Sequence, residues 1–540
     1  MNRFAHLLDS LAFEPRRNGK LKLIEAYFRD APDPDRGFAL AALTDTLRFP
    51  HAKPGLIRAL IAERTDPVLF ALSYDFVGDL SETVALLWPT RGAVAAGEGP
   101  SLAAVVAGLE TTGKADLPAF LAGVLDGLDE TGRWAFLKLI TGALRVGVSA
   151  RLAKTALARL GDLDPDAVEE VWHGLSPPFL DVFAWVEGRG PRPEAADAAP
   201  FRPPMLAHAL DEADFGALDP ADFRAEWKWD GIRVQAVAGT THGRRAARLF
   251  SRSGEDLSAA FPDVLDALDF EAAVDGELLI VRDGRVEPFS VLQQRLNRKT
   301  VTAKMLRDFP PRIRAYDLLA LGGDDLRAEP FEERRRRLEA FVAGLGDHAM
   351  IDLSPMVPFA DWPSLAAARA NPASAGAGHD AAAVEGIMLK RAASPYVPGR
   401  PKGLWFKWKR DPFNVDAVLM YAQRGHGRRS SFYSDFTFGV WKAGELVPVG
   451  KAYFGFTDEE LVELDRFVRR HTINRFGPVR EVAHTREEGL VLEVAFEGLN
   501  RSTRHKAGLA MRFPRIARIR WDKTPADADE IAVLERMLAR

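Results

Sequence analysis

The stretch Glu226-Trp227-Lys228-Trp229-Asp230-Gly231-Ile232-Arg233 restricts this chain more than any other. Its lead-in interleaves charged and apolar residues, as a strand with one wet and one buried face does. An Asp-Gly step then turns the chain sharply, and Arg233 projects toward whatever anion Lys228 meets. A lysine becomes a nucleophile only when desolvation or neighbouring cations lower its pKa, and Trp227 and Trp229 can supply the desolvation. Such a stretch suits a covalent lysine intermediate on a phosphorus centre. Asp-Gly is equally an ordinary hairpin signal, so the weight of the stretch depends on the residues downstream of it.

A chain of 540 residues predicts about three or four domains of roughly 150 residues each. With 47% apolar residues it can build several cores. The absence of cysteine excludes disulfides, cysteine zinc sites and thiolate nucleophiles. Met1 to Ser10 does not read as a secretory signal, and no apolar run is long enough for a bilayer span. A soluble, cytoplasmic, monomeric protein is expected. The net charge of -4 excludes a globally basic nucleic-acid binder. Basic residues nevertheless crowd Arg391 to Arg410, Arg424 to Arg429 and Arg501 to Lys523, and local patches set polyanion binding. Each patch taken alone reads equally well as solvated surface. The run Arg334 to Arg337 after Glu332-Glu333 reads as a solvated helix face in preference to a nucleic-acid patch, and the histidines show no metal-ligand spacing.

To about residue 190 the pattern is helical. Phe4, Leu7, Leu8 and Leu11 share one helix face, and Leu21, Ile24 and Phe28 repeat the spacing. Ala119 to Gly127 and Trp134 to Leu144 continue it, with turn signals at Pro32, Pro54 and Gly113. The Pro- and Ala-rich segment from Gly188 to Pro204 reads as a linker. From about Met205 to Lys409 short strands alternate with helices, which predicts an α+β domain. Within it, Asn371 to Ala383 is expected to be a mobile surface loop. Beyond Arg410 strands dominate around one helix near Asp458 to Arg470, as in small barrels such as the OB-fold.

Downstream of Lys228 the same domain carries Asp275-Gly276-Glu277 ahead of a strand, a second Glu-Gly unit at Glu385-Gly386, and Trp405-Phe406-Lys407-Trp408-Lys409. A carboxylate at a strand end can hold a ribose hydroxyl or a magnesium ion. Alternation over 405–409 places both ammonium groups on one face of a strand. Arg252 follows a strand and Tyr316 lies within one. Each has a plain structural reading, so the argument rests on their order within one domain.

That order, with KWDGIR, SRSGED, DGELLI, RAYDLL, EGIMLK, WFKWKR and a closing RFPRIARIRWDK, resembles the ATP-dependent DNA ligases of the covalent nucleotidyltransferase superfamily. The resemblance runs from about Met205 to the end. A looser likeness to the family's helical DNA-binding domain lies in Gly78-Asp79-Leu80 and Leu144-Arg145-Val146-Gly147. It implies a multidomain fold: a helical DNA-binding domain over 1–190, a linker over 191–204, an α+β nucleotidyltransferase (adenylation) domain over 205–409 and a C-terminal β-barrel OB-fold over 410–540. It also implies that Lys228 attacks the α-phosphate of ATP. Glu226 matches the position that reads the adenine amino group. Arg233 and Arg252 match arginines near the ribose, the 3′-OH side of the nick and the phosphate. Glu277 matches a carboxylate linked to both ribose and metal, and Glu385 the second metal-linked one. Tyr316 matches the aromatic that stacks on adenine, Arg400 a nucleotide-contacting arginine, and Lys407 and Lys409 the α-phosphate lysines. Arg512, Arg515, Arg518 and Lys523 match the motif that orients pyrophosphate. ATP and Mg²⁺ (or Mn²⁺) are the implied cofactors, nicked double-stranded DNA the partner, and repair the expected role.

Mg²⁺ together with the two lysines is expected to neutralise the phosphates and to lower the pKa of Lys228. The last motif must approach ATP in one step and leave in the next, which predicts a hinge near Arg410 or Asp411. RNA ligases and mRNA capping enzymes share the lysine motif and stay open as alternatives. NAD-dependent ligases fit less well, since they carry a cysteine zinc module. A catalytically silent DNA-binding scaffold would have no use for the intact lysine and carboxylates.

Overall fold

The computed structural model describes residues 1–89, 99–142, 144–193, 198–241, 243–296, 298, 300–346, 350–424, 432–502 and 505–538. The basic positions 425–429 fall outside them. Two compact units emerge: one comprises 1–163, 176–191 and 411–540, the other 164–175 and 192–410.

The N-terminal part of the first unit is helical. Asn2–Phe13 buries Phe4, Leu7, Leu8 and Leu11, and Arg17–Asp30 buries Leu21, Ile24 and Phe28, the faces expected from spacing. Helix Pro67–Val77 stops at Gly78, and Asp79 then caps Leu80–Leu87 by accepting the Glu82 N–H. Lys138 pairs with Asp79 at 2.6 Å. Burial raises the Asp79 carboxyl, but Lys138, the Glu82 amide and Arg145 hold it below its ordinary range. Two segments distant in sequence, 78–80 and 144–147, thus share one electrostatic neighbourhood.

The second unit holds two sheets. One contains β1 (Phe223–Trp229), β7 (Met356–Val357), β8 (Val384–Arg391) and β9 (Trp405–Lys409), in the order His208–Ala209, β9, β8, β1, β7. The other is built on β2 (Ile232–Thr241), β3 (Arg244–Ser251), β4 (Ala272–Arg282) and β5 (Pro311–Leu321), in the order β3, β2, β4, β5, with β6 (Ile351–Leu353) parallel to β5. β1 and β2 are two residues apart in sequence yet lie in different sheets, so Asp230-Gly231 is a crossover and not a hairpin. A Cβ on Gly231 would sit 2.6 Å from the Leu278 carbonyl oxygen, so the step needs glycine. The sheets share an apolar layer in which Val237, Phe250, Ala273 and Leu319 meet Trp405 and Met388. Their other faces bury separate cores, around Val234, Leu278 and Ile313 in one sheet and around Trp227, Ile387 and Trp408 in the other.

Three features depart from expectation. The segment 371–383 forms short helical turns. Asp380 pins them by accepting the Val286 N–H at 2.9 Å and pairing with Arg314 at 2.9 Å. Its Ala, Gly and Ser content suggested a loop because the anchoring partners come from distant sequence. Arg334 and Arg335 are buried, and only Arg336 and Arg337 lie along the surface, both paired with Glu333. Arg334 pairs with Asp317 at 2.8 Å, with both side chains 0% exposed. The Phe331–Ala343 helix packs on β5, so half of the run points inward. Helix Pro165–Trp172 belongs to the second unit, where His173 packs on Phe201 and Phe250 and Glu170 pairs with Arg192 and Arg327.

The remainder of the first unit is strand-rich. β10 (Phe413–Arg424) pairs with β11 (Tyr433–Lys442), and β11 with β12 (Glu445–Ala452). The Asp458–His471 helix precedes β13 (Thr472–Phe476) and β14 (Val479–Val482), and β14 also pairs with β10. β15 (Val491–Phe496) joins the other end of β10 and pairs with β18 (Arg515–Arg520), while β16 (Gly498–Arg501) and β17 (Leu509–Arg512) form a separate ladder. The helix and sheet enclose one core of Phe436, Phe438, Leu464, Val494 and Phe496.

Candidate active site

Strand register assembles the candidate site. Antiparallel partners point to the same face of a sheet, so the pairings Lys228–Gly386–Lys409, Glu226–Met388–Lys407 and Arg224–Lys390–Trp405 form three rows across β1, β8 and β9. Lys228, Lys407 and Lys409 therefore share a face, while the intervening tryptophans and phenylalanine fill the core behind. Gly386 explains the close spacing. Its φ is +152°, and a Cβ there would lie 2.3 Å from the Trp408 carbonyl oxygen and 2.7 Å from Lys409 Cα. The register shift between Val384 and Gly386 turns Glu385 toward the lysine face, and Glu385 Oε2 lies 2.5 Å from Lys228 Nζ.

The second sheet brings Arg233 of β2 opposite Glu277 of β4. Glu277 interacts electrostatically with Lys228, Arg233, Glu385 and Asp230; burial pushes its carboxyl up to about 8, with Glu385 and Asp230 adding to the rise against the pull of Lys228 and Arg233. Burial also lowers the Lys407 ammonium, helped by Lys409, Arg400, Lys228 and Arg252. Five cations, two of them on β9, thus converge on one region, as an anionic ligand requires. Tyr316 lies on β5, and its carbonyl oxygen accepts from Lys390 Nζ at 3.1 Å.

Three placements were not foreseen. Burial lowers the Lys228 pKa, but Glu385, Glu277 and Asp230 outweigh it and the group ends above an ordinary lysine. The protein's own carboxylates therefore set the direction at this ammonium, with Glu385 2.5 Å from it. Arg233 is committed to the scaffold: it donates to Asp275 at 2.6 Å, to the Met205 carbonyl at 2.6 Å and to Tyr396 Oη at 3.0 Å. Tyr396 in turn donates to Asp275 at 2.5 Å. Glu226 is 1% exposed, with one oxygen 2.8 Å from Arg335 and the other 2.7 Å from Lys390. Asp275 and Lys390 lie inside recognisable segments of sequence, but nothing in the sequence pointed to Arg335 or Tyr396.

Arg512, Arg515, Arg518 and Lys523 fall in the first unit. Arg515 and Arg518 lie on β18, Arg512 ends β17 with its guanidinium 5.4 Å from the Phe513 ring centroid, and Lys523 pairs with Asp416.

Glu277 and Glu385 offer oxygen donors suited to a hard divalent cation. Magnesium is usually bound by one or two carboxylates with water and substrate phosphates completing its shell, and a cation there would offset the burial and the neighbouring carboxylates that together raise Glu277. Among the described residues there is no cluster of three or more acidic, histidine or cysteine ligands. No helix among the described residues is long and apolar enough to cross a membrane.

Two family models match this chain, one described as ATP dependent DNA ligase domain over residues 204–409 and one as ATP dependent DNA ligase C terminal region over 429–523. A "Probable DNA ligase" of Koribacter versatilis (strain Ellin345) is 38% identical over 62% of this chain, and the match spans 58% of that protein's length. A "Probable DNA ligase" of Anaeromyxobacter sp. (strain Fw109-5) is 34% identical over 82% of this chain and 88% of its own. The solved structure named Pmar-Lig_PreS3 is 15% identical, with a TM-score of 0.58 over 96% of this chain and 99% of that one, a likeness of fold.

Proposed function

The chain belongs to the ATP-dependent DNA ligase family, and from that premise we propose that it seals nicks bearing a 5′-phosphate and a 3′-OH in duplex DNA through a lysyl-AMP intermediate on Lys228. The observation that carries this reading is Lys228 held 2.5 Å from Glu385 on the same sheet face as Lys407 and Lys409.

In the first step the Lys228 ammonium gives up a proton, for which Glu385 is the paired acceptor; the neutral amine then forms a bond to the α-phosphorus of ATP, the bond to pyrophosphate breaks, and the second Nζ proton is lost to solvent as the phosphoramidate forms. AMP then passes to the 5′-phosphate of the nick. Attack by the 3′-OH forms the phosphodiester and releases AMP. Lys407 and Lys409 neutralise phosphate oxygens as charge builds on them. Tyr316 packs on the adenine, Glu226 reads its amino group, and Arg400 and Arg252 contact the nucleotide and nick. Arg233 approaches the ribose and phosphate, held in place by Asp275 and Tyr396. Glu277 and Glu385 would hold Mg²⁺, or Mn²⁺, which supplies charge neutralisation at the reacting phosphates. Arg512, Arg515, Arg518 and Lys523 orient the departing pyrophosphate.

Residues 1–190 act as a DNA-binding domain, 191–204 as a linker, 205–409 as the adenylation domain and 410–540 as an OB-fold. The last reading is supported by the long β10, which shares its two halves among three partner strands as barrel strands do. The compact units divide between Arg410 and Asp411, where the mechanism needs its hinge. The enzyme acts as a cytoplasmic monomer in repair, and its hold on DNA through phosphate contacts weakens steeply with salt. Incubation with α-labelled ATP and magnesium is expected to label the wild-type protein and leave Lys228→Ala unlabelled. Labelling of Lys228→Ala at the wild-type level defeats the assignment. Parallel assays on nicked DNA and nicked RNA separate the ligase classes.

A further inference from the structure

We propose that Arg335 and Lys390 are positioning residues that brace Glu226 as a fixed, acceptor-only carboxylate and thereby set selection for a purine carrying a 6-amino group. The inference rests on the reading that ATP adenylates Lys228.

The brace draws on three elements. Glu226 lies on β1, Lys390 on β8 and Arg335 on the Phe331–Ala343 helix. Each carboxylate oxygen has its own cation, Arg335 Nη1 at 2.8 Å and Lys390 Nζ at 2.7 Å. Neither cation is free to swing. Arg335 also donates to the Ser354 carbonyl at 2.8 Å and to Glu339 at 2.7 Å. Ser354 Oγ accepts from the indole of Trp229, one residue beyond Lys228, at 3.0 Å. Lys390 Nζ stands over the rings of Tyr316, Phe331 and Trp405 at 4.7, 4.7 and 4.5 Å and donates to the Tyr316 carbonyl. The brace thus ties the carboxylate to the ring proposed to pack on the base.

The chemistry follows from the inventory of donors and acceptors. An ionised carboxylate only accepts, whereas a protonated one also donates. Each oxygen of Glu226 already accepts from its own cation, so the carboxylate faces its surroundings as an acceptor. Each paired oxygen retains lone-pair capacity toward a purine amino group, while a 6-oxo group meets an acceptor and is repelled. Loss of Arg335 leaves one oxygen without its cation, lets the carboxylate turn toward Lys390 and removes its fixed aim. Sites built to hydrogen-bond a substrate group discriminate far more strongly than apolar pockets.

The test measures Lys228–AMP formation with ATP, with GTP and with the triphosphate of purine riboside, which has hydrogen at the 6-position. Wild type is expected to prefer ATP over the 6-hydrogen analogue by at least about tenfold in kcat/KM, the worth of one hydrogen bond to a charged group. Arg335→Gln is expected to shrink that preference at least about fivefold, with the loss falling on KM for ATP rather than on kcat, and to narrow the ATP-to-GTP ratio. Arg335→Lys, which keeps one cation, should recover part of the selectivity. A preference unchanged in Arg335→Gln overturns the proposal, as does a wild-type enzyme indifferent to the 6-amino group. If Arg335→Gln does not fold, Arg335→Lys alone decides: a preference reduced at least about twofold supports the brace and an unchanged one refutes it. A wild-type protein that forms no adduct with ATP refutes the ligase reading and is distinguished from a selectivity change by that fact.

Discussion

Replacing Gly386 by alanine tests whether the contact between β8 and β9 places the lysines. At this position φ is +152°, where a side chain is strained, and the added Cβ would meet the Trp408 carbonyl oxygen at 2.3 Å and Lys409 Cα at 2.7 Å. Both are backbone atoms, so no rotamer change relieves the clash. Backbone strain of about 1–3 kcal/mol and overpacking of about 1–3 kcal/mol give a destabilisation of about 2–6 kcal/mol. For a unit of this size that lowers the melting temperature by about 4–24 °C. Relief to ordinary van der Waals contact moves β9 outward by about 1 Å and carries Lys407 and Lys409 with it. Displacement on that scale costs on the order of 10²-fold in rate. Thermal melting and single-turnover formation of the lysyl adduct with labelled ATP report the two effects separately. A Gly386→Ala protein that melts with wild type and adenylates at the wild-type rate would falsify the close-approach argument. Melting unchanged with slow adenylation would show displacement without strain.

Two further predictions concern buried charge. Glu277 has a folded pKa of about 8 against an ordinary 4.5, so the folded state keeps a proton that the unfolded chain releases, and stability drains away as pH rises through that window. Glu277→Gln lacks this drain; urea unfolding of the two proteins should show the variant gaining on wild type between about pH 5 and pH 8.5, and parallel curves would contradict the shift. Asp317→Asn leaves the Arg334 guanidinium buried without its counter-charge, and the expected cost is about 3–5 kcal/mol in urea unfolding. A loss under about 1 kcal/mol would mean that the carbonyls of Glu329 and Ser394, which also accept from Arg334, satisfy it alone.

Local pattern carried much of the fold. The faces of Asn2–Phe13 and Arg17–Asp30 follow from apolar spacing, and the alternation over 405–409 already put Lys407 and Lys409 on one side. The Asp458–His471 helix was legible from its own residues, with Thr457 and Glu460 forming a capping box. Where local chemistry admitted two answers, distant partners chose. Asp230-Gly231 has hairpin chemistry, but β1 pairs with β8 and β2 with β4. The four arginines at 334–337 look alike in sequence; Asp317 and Glu226 take the first two inward, and Glu333 keeps the others at the surface.

Sequence alone determined which chemical groups are present and, where apolar periodicity is unbroken, which side chains share a face, because that periodicity is a property of the backbone. The charge state of Lys228, the double pairing of Glu226 and the structural employment of Arg233 were decided only in three dimensions. Electrostatic interaction depends on distance and burial, and residues far apart in the chain set both.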